Sequence, residues 1–191
     1  MIRLNTPISD EEIRKLRVGN KVLISGIMFT GRDQVHKYLT EKFSEEFKEK
    51  LQNSVLYHCG PVVKKVDKEY KIIAAGPTTS IREEPYEADI IKNYKVKAII
   101  GKGGMAEKTL KSCSENGAVY LSAIGGLGAL LAERIKKVTG VDFLEEFGIP
   151  EAMWQLDVVD FPCIVTMDSH GNNLHEDILK TSKENYNNLI K

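Results

Sequence analysis

Three short segments of this sequence place basic or hydroxyl side chains next to glycine, and each follows an apolar run typical of a β-strand. Loops at strand ends expose backbone N–H groups, which attract anions, and such loops often carry binding residues. The segments are Thr30-Gly31-Arg32-Asp33 with His36, Gly76-Pro77-Thr78-Thr79-Ser80-Ile81-Arg82, and Gly101-Lys102-Gly103-Gly104-Met105. Together they predict a site that binds a small anion.

In the first segment, Arg32 lies where a predicted strand gives way to a predicted helix. Its planar guanidinium group can bind a carboxylate through two parallel N–H bonds, and the helix N-terminus adds positive potential. A surface ion pair would explain Arg32 equally well, and Asp33 fits the N-cap of the helix. His36, one turn later, could transfer a proton, although a single helix histidine is more often a packing or surface residue.

The second segment holds two adjacent threonines, and Arg82 follows four residues after Thr78. A threonine hydroxyl is a poor base in water. It becomes one only in a dry site, where cations stabilise its alkoxide or an adjacent base takes its proton. Two simpler interpretations stay open: the segment is an ordinary threonine-rich turn, or Glu83 and Glu84 neutralise Arg82.

The third segment can bring backbone N–H groups close to an anion while Lys102 supplies a point charge. Gly101, Gly103 and Ala106 also match a loose Gly-x-Gly-x-x-Ala dinucleotide pattern. The next predicted strand ends in Leu121-Ser122-Ala123, without the acidic residue that binds a ribose. Carboxylate binding is therefore favoured over nucleotide binding.

The cysteines are three in number, spaced about fifty residues apart and without a Cys-x-x-Cys motif. This pattern indicates reduced thiols and no complete metal site in the chain. Each cysteine is expected to be a small buried side chain. They are Cys59, Cys113 and Cys163. The other histidines, His58, His170 and His175, lack metal-ligand spacing and are expected to be structural or solvent-exposed.

The composition describes an ordinary globular protein of 191 residues, with 27 Lys plus Arg and 27 Asp plus Glu. Its zero formal net charge argues against general attraction to nucleic acid or anionic membranes. No apolar run approaches a membrane span, and residues 1–10 lack a signal-peptide pattern. We expect a cytoplasmic protein with one domain over residues 1–191.

The elements that must position these loops alternate along the chain. Apolar runs bounded by Gly, Pro, Asp or Asn predict strands at 21–27, 54–59, 71–75, 97–100, 118–123, 155–159 and 163–167. Helical patterns cover 33–52, 85–93, 105–115, 128–138 and 174 to the C-terminus. The lysine-rich stretch 60–71 fits an exposed connection. Strands alternating with helices predict an α/β fold with a mixed β-sheet core and flanking helices.

With these segments in view, the chain resembles the β subunit of class I fumarases and L-tartrate dehydratases over nearly its whole length. Several ordered motifs carry the resemblance. They are Val18-Gly19, Gly26, Thr30-Gly31-Arg32-Asp33 with His36, His58-Cys59-Gly60-Pro61, Gly76-Pro77-Thr78-Thr79-Ser80 with Arg82, Gly101-Lys102-Gly103-Gly104-Met105, Pro150-Glu151-Ala152-Met153-Trp154, Phe161-Pro162, and Asp168 with Gly171-Asn172.

The resemblance implies a swivelling β/β/α domain that works with a larger α subunit, in a hetero-oligomer of two α and two β subunits. The α subunit would hold a [4Fe-4S] cluster through three cysteines, and the fourth iron would bind substrate as a Lewis acid. The implied reaction is reversible hydration of fumarate to L-malate. The alternatives are dehydration of L-tartrate to oxaloacetate and water, and a non-catalytic anion-binding module.

The resemblance also implies roles for individual residues. The substrate carboxylates would be held by Arg32, Arg82 and Lys102. Thr78 would be the base for the C3 proton, Thr79 would shape the pocket, and His36 would be a second acid/base residue. Ile81 and Glu83 depart from the family pattern, which has a small residue and Met beside the arginine.

Overall fold

The structure is a computed structural model that describes residues 1–190. Its strands are β1 (Ile2–Asn5), β2 (Lys21–Thr30), β3 (Val55–Tyr57), β4 (Val62–Val66), β5 (Glu69–Ala74), β6 (Ala98–Gly101), β7 (Val119–Ser122), β8 (Ile135–Asp142) and β9 (Met153–Met167). Its helices are α1 (Asp10–Lys15), α2 (Asp33–Glu41), α3 (Glu45–Leu51), α4 (Glu84–Tyr94), α5 (Glu107–Asn116), α6 (Gly128–Ala132), α7 (Leu144–Phe147) and α8 (Leu174–Leu189). A short 3₁₀ helix, Ser80–Glu83, leads into α4.

The main sheet closes on itself. Its strand order is β1-β2-β3-β6-β7-β9-β8, and β9 also pairs with β2, so that β2, β3, β6, β7 and β9 form a barrel-like ring. Strands β1, β2, β3, β6 and β7 run parallel, whereas β9 is antiparallel to its neighbours. The loops that follow β2, β3, β6 and β7 therefore leave the sheet at one end, which we call the carboxyl end.

Hydrophobic residues pack on both faces of this closed sheet because neighbouring residues of a strand point to opposite faces. In β3, Val55 and Tyr57 belong to the inner cluster while Leu56 belongs to the outer one. The outer cluster joins the sheet to α2, α3, α4 and α5. Trp154 is fully buried in the inner cluster, and its Nε1–H donates to the Ile149 carbonyl at 2.9 Å. The predicted α/β fold with a mixed sheet and flanking helices is confirmed.

Several predicted boundaries are wrong. The helix predicted at 33–52 is two helices, because the backbone leaves the helical region at Lys42 and the Ser44 side chain caps α3. The helix predicted at 128–138 ends at Ala132, and the following residues form β8 against β9. The connection predicted at 60–71 contains most of the β4–β5 hairpin, and the two strands predicted at 155–159 and 163–167 are one strand.

Across residues 1–190, every helix is too short or too polar to cross a membrane. The swivelling motion implied by the resemblance stays a prediction.

Candidate active site

The predicted binding loops lie at the carboxyl end of the sheet. Arg32 follows the last residue of β2 by two positions, and Lys102 follows β6 directly. Strand β3 lies between β2 and β6 and is parallel to both. Ligands of open α/β sheets bind at this end because the loops of adjacent parallel strands converge there.

The threonine-bearing loop runs alongside the end of β6. The Thr78 N–H donates to the His58 carbonyl at 2.7 Å, and the Thr78 carbonyl accepts from the Lys102 N–H at 3.3 Å. The Ser80 N–H then donates to the Lys102 carbonyl at 3.1 Å, and Thr79 pairs with Lys102 in a parallel bridge. Backbone hydrogen bonds thus hold the hydroxyl and lysine loops side by side. Thr79 and Lys102 are exposed, and Thr78 is half-buried.

Glycine is required where these two loops touch. A Cβ atom at Gly101 would lie 1.8 Å from the Ser80 Oγ and 2.9 Å from the Tyr120 hydroxyl. Gly103 has a φ of +82°, a conformation that side chains rarely adopt. The glycines of this segment therefore permit close packing and a tight turn beside Lys102.

Both predicted carboxylate-binding arginines already contact protein carboxylates. The Arg82 Nε donates to the Asp33 Oδ1 at 3.2 Å, and its Nη2 donates to the Asp33 Oδ2. The Arg32 Nη2 lies 3.9 Å from the same Oδ2, and its Nε lies 3.3 Å from the Glu151 Oε1. The guanidinium groups of both arginines therefore lie beside the Asp33 carboxylate.

The pKa of Asp33 agrees with its contact with Arg82. Burial would raise the pKa of Asp33, but the hydrogen bond and charge of Arg82 lower it below its usual value. Asp33 is the first residue of α2 and not its N-cap, which is Arg32. The interpretation in which Glu83 and Glu84 neutralise Arg82 is wrong. Glu84 instead accepts from the start of α5, and the Glu83 side chain is buried.

His36 lies beneath these loops and is fully buried. Its Nδ1 bonds to the Arg32 carbonyl at 2.8 Å and its Nε2 to the Glu87 Oε2 at 3.0 Å. Among the predicted site residues, Arg32, Thr78, Thr79, Arg82 and Lys102 lie in the loops at the carboxyl end. His36 does not reach the surface with them.

One cavity lies elsewhere. It has a volume of about 1140 Å³ and lies between the β4–β5 hairpin, α6 and β8, away from the predicted site residues. The loops of adjacent parallel strands meet at the carboxyl end, so we place the candidate site there and not in this cavity.

Comparison with known proteins identifies the family. The model of the family described as Fumarase C-terminus matches residues 1–178. The chain belongs to this family.

Relatives within the Fumarase C-terminus family include complete subunits and longer proteins. The chain is 54% identical over 185 residues to a protein provisionally named class I fumarate hydratase from Geobacillus stearothermophilus, and covers 35% of that protein. It is 43% identical to a provisionally named L(+)-tartrate dehydratase subunit beta from Methanocaldococcus jannaschii, over 96% of this chain and 95% of that one. It is 35% identical to the L(+)-tartrate dehydratase subunit beta of Escherichia coli K12, over 90% of this chain and 85% of that one.

The three cysteines of this chain are not arranged to hold an iron-sulfur cluster, which the resemblance assigns to the α subunit. Cys59 and Cys163 lie in the inner core cluster, whereas Cys113 lies in the outer one. Burial raises the pKa of Cys59 to about 12 and raises the pKa of the other two thiols as well. Cluster ligands are thiolates that converge on one centre, and these three cysteines, divided between the two core clusters, do not form such a set.

Sequence reasoning missed three residues that surround the site: Glu151, His58 and Glu87. Glu151 contacts Arg32 from a position more than a hundred residues away. It belongs to a motif that carries the resemblance, but no local pattern linked it to Arg32. The His58 Nε2 bonds to the Glu87 Oε2 beneath the loops. Glu83 precedes the helix predicted at 85–93, so helical spacing did not point to a buried acidic pair with Glu87.

Proposed function

We propose that this chain is the β subunit of a two-subunit hydro-lyase, in which it binds the two carboxylates of fumarate or L-malate. Two observations support this proposal: Arg32 and Arg82 share Asp33, and backbone hydrogen bonds hold the Lys102 loop against the segment from Thr78 to Ser80. The Fumarase C-terminus membership and the fumarate hydratase relative support it.

The charged side chains of the candidate site leave a net charge of plus one, which favours an anionic ligand. The two arginines and Lys102 bring three positive charges, and Asp33 and Glu151 bring two negative charges that contact the arginines. A substrate carboxylate can replace a protein carboxylate on an arginine, because both make the same charge-assisted bonds. Arg82 is the more accessible arginine, with 48% of its side chain exposed against 23% for Arg32.

In this proposal Thr78 acts as an alkoxide that takes the C3 proton of malate and becomes a neutral hydroxyl. The C–H bonding electrons form the C2–C3 double bond, and the C2 hydroxyl leaves as hydroxide, so that the sum is loss of one water. Before the hydroxyl leaves, the carboxylate next to C3 gains negative charge. Fixed cations stabilise that charge more than they stabilise the ground state.

In this proposal a partner subunit supplies the iron-sulfur cluster. We propose an α subunit that holds the [4Fe-4S] cluster, in an assembly of two α and two β subunits. The unpaired thiols favour a cytoplasmic location, where cysteines stay reduced.

L-Tartrate dehydration to oxaloacetate is the second candidate. It is favoured by the Methanocaldococcus jannaschii relative, whose length this chain covers almost fully. Fumarate and tartrate both carry two carboxylates, so the same three cations serve either substrate.

The test is anaerobic co-expression with the cysteine-bearing partner, followed by assays with fumarate, L-malate and L-tartrate. We expect Lys102→Ala to lower kcat/KM by about 100-fold or more, since a charged contact to the reacting acid is lost. Lys92→Ala, at an exposed position of α4, is the matched control and should behave like wild type.

The substrate with the higher kcat/KM decides between fumarate and tartrate. An assembled complex that turns over none of the three acids, but still binds dicarboxylates, would favour the non-catalytic module. Wild-type kinetics in Lys102→Ala would remove the carboxylate-binding role.

A further inference from the structure

Two histidines and a glutamate with no solvent exposure meet beneath the candidate site. His36 and His58 both bond through Nε2 to the same Glu87 oxygen, at 3.0 and 2.8 Å, and all three residues are 0% exposed. We call His36, His58 and Glu87 the buried cluster. Its members come from α2, from the residue after β3, and from α4.

The hydrogen-bond partners determine the protonation of His36. Its Nδ1 faces the Arg32 carbonyl and its Nε2 faces the Glu87 carboxylate. A carbonyl and a carboxylate only accept hydrogen bonds, so both ring nitrogens must donate. His36 is therefore a positively charged imidazolium that neutralises Glu87.

His58 carries one proton. Its Nε2–H donates to Glu87, and its Nδ1 accepts from the Ser80 hydroxyl at 2.9 Å. The Tyr120 hydroxyl in turn donates to the Ser80 Oγ at 2.8 Å. With these hydrogen-bond directions His58 is neutral, so the buried cluster holds no second positive charge.

The expected pKa directions agree with this assignment. Burial lowers the pKa of His36, but the hydrogen bond and charge of Glu87, with the charge of Glu83, raise it overall. Burial keeps the pKa of His58 below its usual value despite Glu87. Burial would raise the pKa of Glu87, yet the two histidines hold it at about 2.

The buried cluster contacts two loops of the candidate site directly and the Lys102 loop through Ser80. His36 holds the backbone of Arg32, and His58 holds Thr78 through its carbonyl and Ser80 through its ring. Ser80 in turn packs against Gly101, the residue before Lys102. Glu87 is the acceptor that joins the two histidines.

We propose that Glu87 is a positioning residue that, through the His36 imidazolium and His58, sets the Arg32 loop and the Thr78-to-Arg82 loop relative to each other. This inference rests on the proposed function, because it concerns binding of the same dicarboxylate. Glu87 itself does not touch the substrate. The groups that face His36 are Glu83, Glu87 and His58, and Asp33 and Arg82 act on these from the loop side.

The first test is Glu87→Gln in the assembled enzyme. Gln keeps the shape and an acceptor oxygen but removes the charge, so His36 loses its proton and one of its two hydrogen bonds. Misplacement of the arginine loop should lower kcat/KM on the order of 10- to 100-fold, mainly through KM. The loss should shrink at low pH, where His36 regains its proton, and burial places this recovery below the ordinary histidine pKa of about 6.5.

Three other variants separate the possible outcomes. Glu87→Asp keeps the charge and should lose less activity than Glu87→Gln, and Asp89→Asn on the same helix should behave like wild type. If Lys102→Ala loses activity while Glu87→Gln retains wild-type kinetics at all pH values, the positioning role is wrong and the proposed function stands. Wild-type kinetics in Lys102→Ala would instead remove the proposed function.

A second test does not depend on turnover or on the stability of a variant. Nitrogen-15 NMR of the full chain at pH 7.5 should show protons on both ring nitrogens of His36 and on the Nε2 alone of His58. A neutral His36 would overturn the inference. So would a stoichiometric divalent metal in the purified chain, since the three ligand atoms of the buried cluster lie within 4.8 Å of one another.

Discussion

Glu83 is a buried carboxyl group whose ionisation should limit stability above neutral pH. Its side chain is 0% exposed, and neither carboxyl oxygen has a hydrogen-bond partner within residues 1–190. Burial raises the pKa of Glu83 from its ordinary value of 4.5 to about 7, helped by the charges of Asp33 and Glu87 and opposed by those of His36 and Arg82. Glu83→Gln removes this ionisation while keeping the shape of the side chain.

The direction in which stability changes with pH follows from proton binding. Between the ordinary pKa and the folded pKa, the unfolded chain has released the proton and the folded chain still holds it, so stability falls as the pH rises. At about 1.4 kcal/mol per pKa unit, the full shift corresponds to about 3 kcal/mol, reached above pH 7. Part of this loss of stability is already present at pH 5. The free energy of unfolding of Glu83→Gln, relative to wild type, should therefore rise by about 2 kcal/mol between pH 5 and pH 8.

Thermal and urea unfolding of wild type and Glu83→Gln at both pH values measure this difference. For a chain of this size, about 2 kcal/mol corresponds to a gain in Tm of about 4–8 °C at pH 8 relative to pH 5. Glu49→Gln, at an exposed position of α3, controls for loss of a carboxylate and should show no such trend. An equal effect of Glu83→Gln at the two pH values would mean that Glu83 is ionised and stabilised in the folded chain, contrary to its buried position.

Two further predictions concern the core. Gly101→Ala should destabilise the chain by about 1–3 kcal/mol in urea unfolding, because its Cβ would overlap Ser80. Gly76→Ala is the control, since its Cβ meets only an ordinary contact at 3.7 Å. Equal stability of the two variants would contradict the close packing at Gly101. The three thiols are buried and their pKa values are raised by burial, so a thiol reagent should modify them far more slowly in the native than in the urea-unfolded chain. Rapid reaction of any one in native buffer would contradict its burial.

Much of the site layout was predictable because it depends on local signals. The strand predicted at 97–100 ends one residue before the end of β6, whereas the strand predicted at 21–27 stops three residues before the end of β2. The basic residues that follow these strands, Arg32 and Lys102, lie at the carboxyl end. The single-domain assignment and the roles of these residues stay predictions.

The errors come from interactions between distant residues. Ile135 and Val138 are three residues apart, a spacing that fits a helix, yet pairing with β9 makes this segment a strand. The burial of His36 depends on Glu87, which is 51 residues away. Asp33 was assigned as a cap because the sequence gives no sign that Arg82 approaches it.

Strand β9 has a consequence for how the chain folds. It fills the gap between β2 and β7, and Met28 pairs with Leu156 across more than 120 residues. Pairing over such sequence distances slows folding, so the ring closes late. A nascent or truncated chain that ends before residue 153 leaves β2 and β7 with unpaired edges, which are sites for aggregation. Chaperone dependence during synthesis should therefore be greatest just before this last strand emerges from the ribosome.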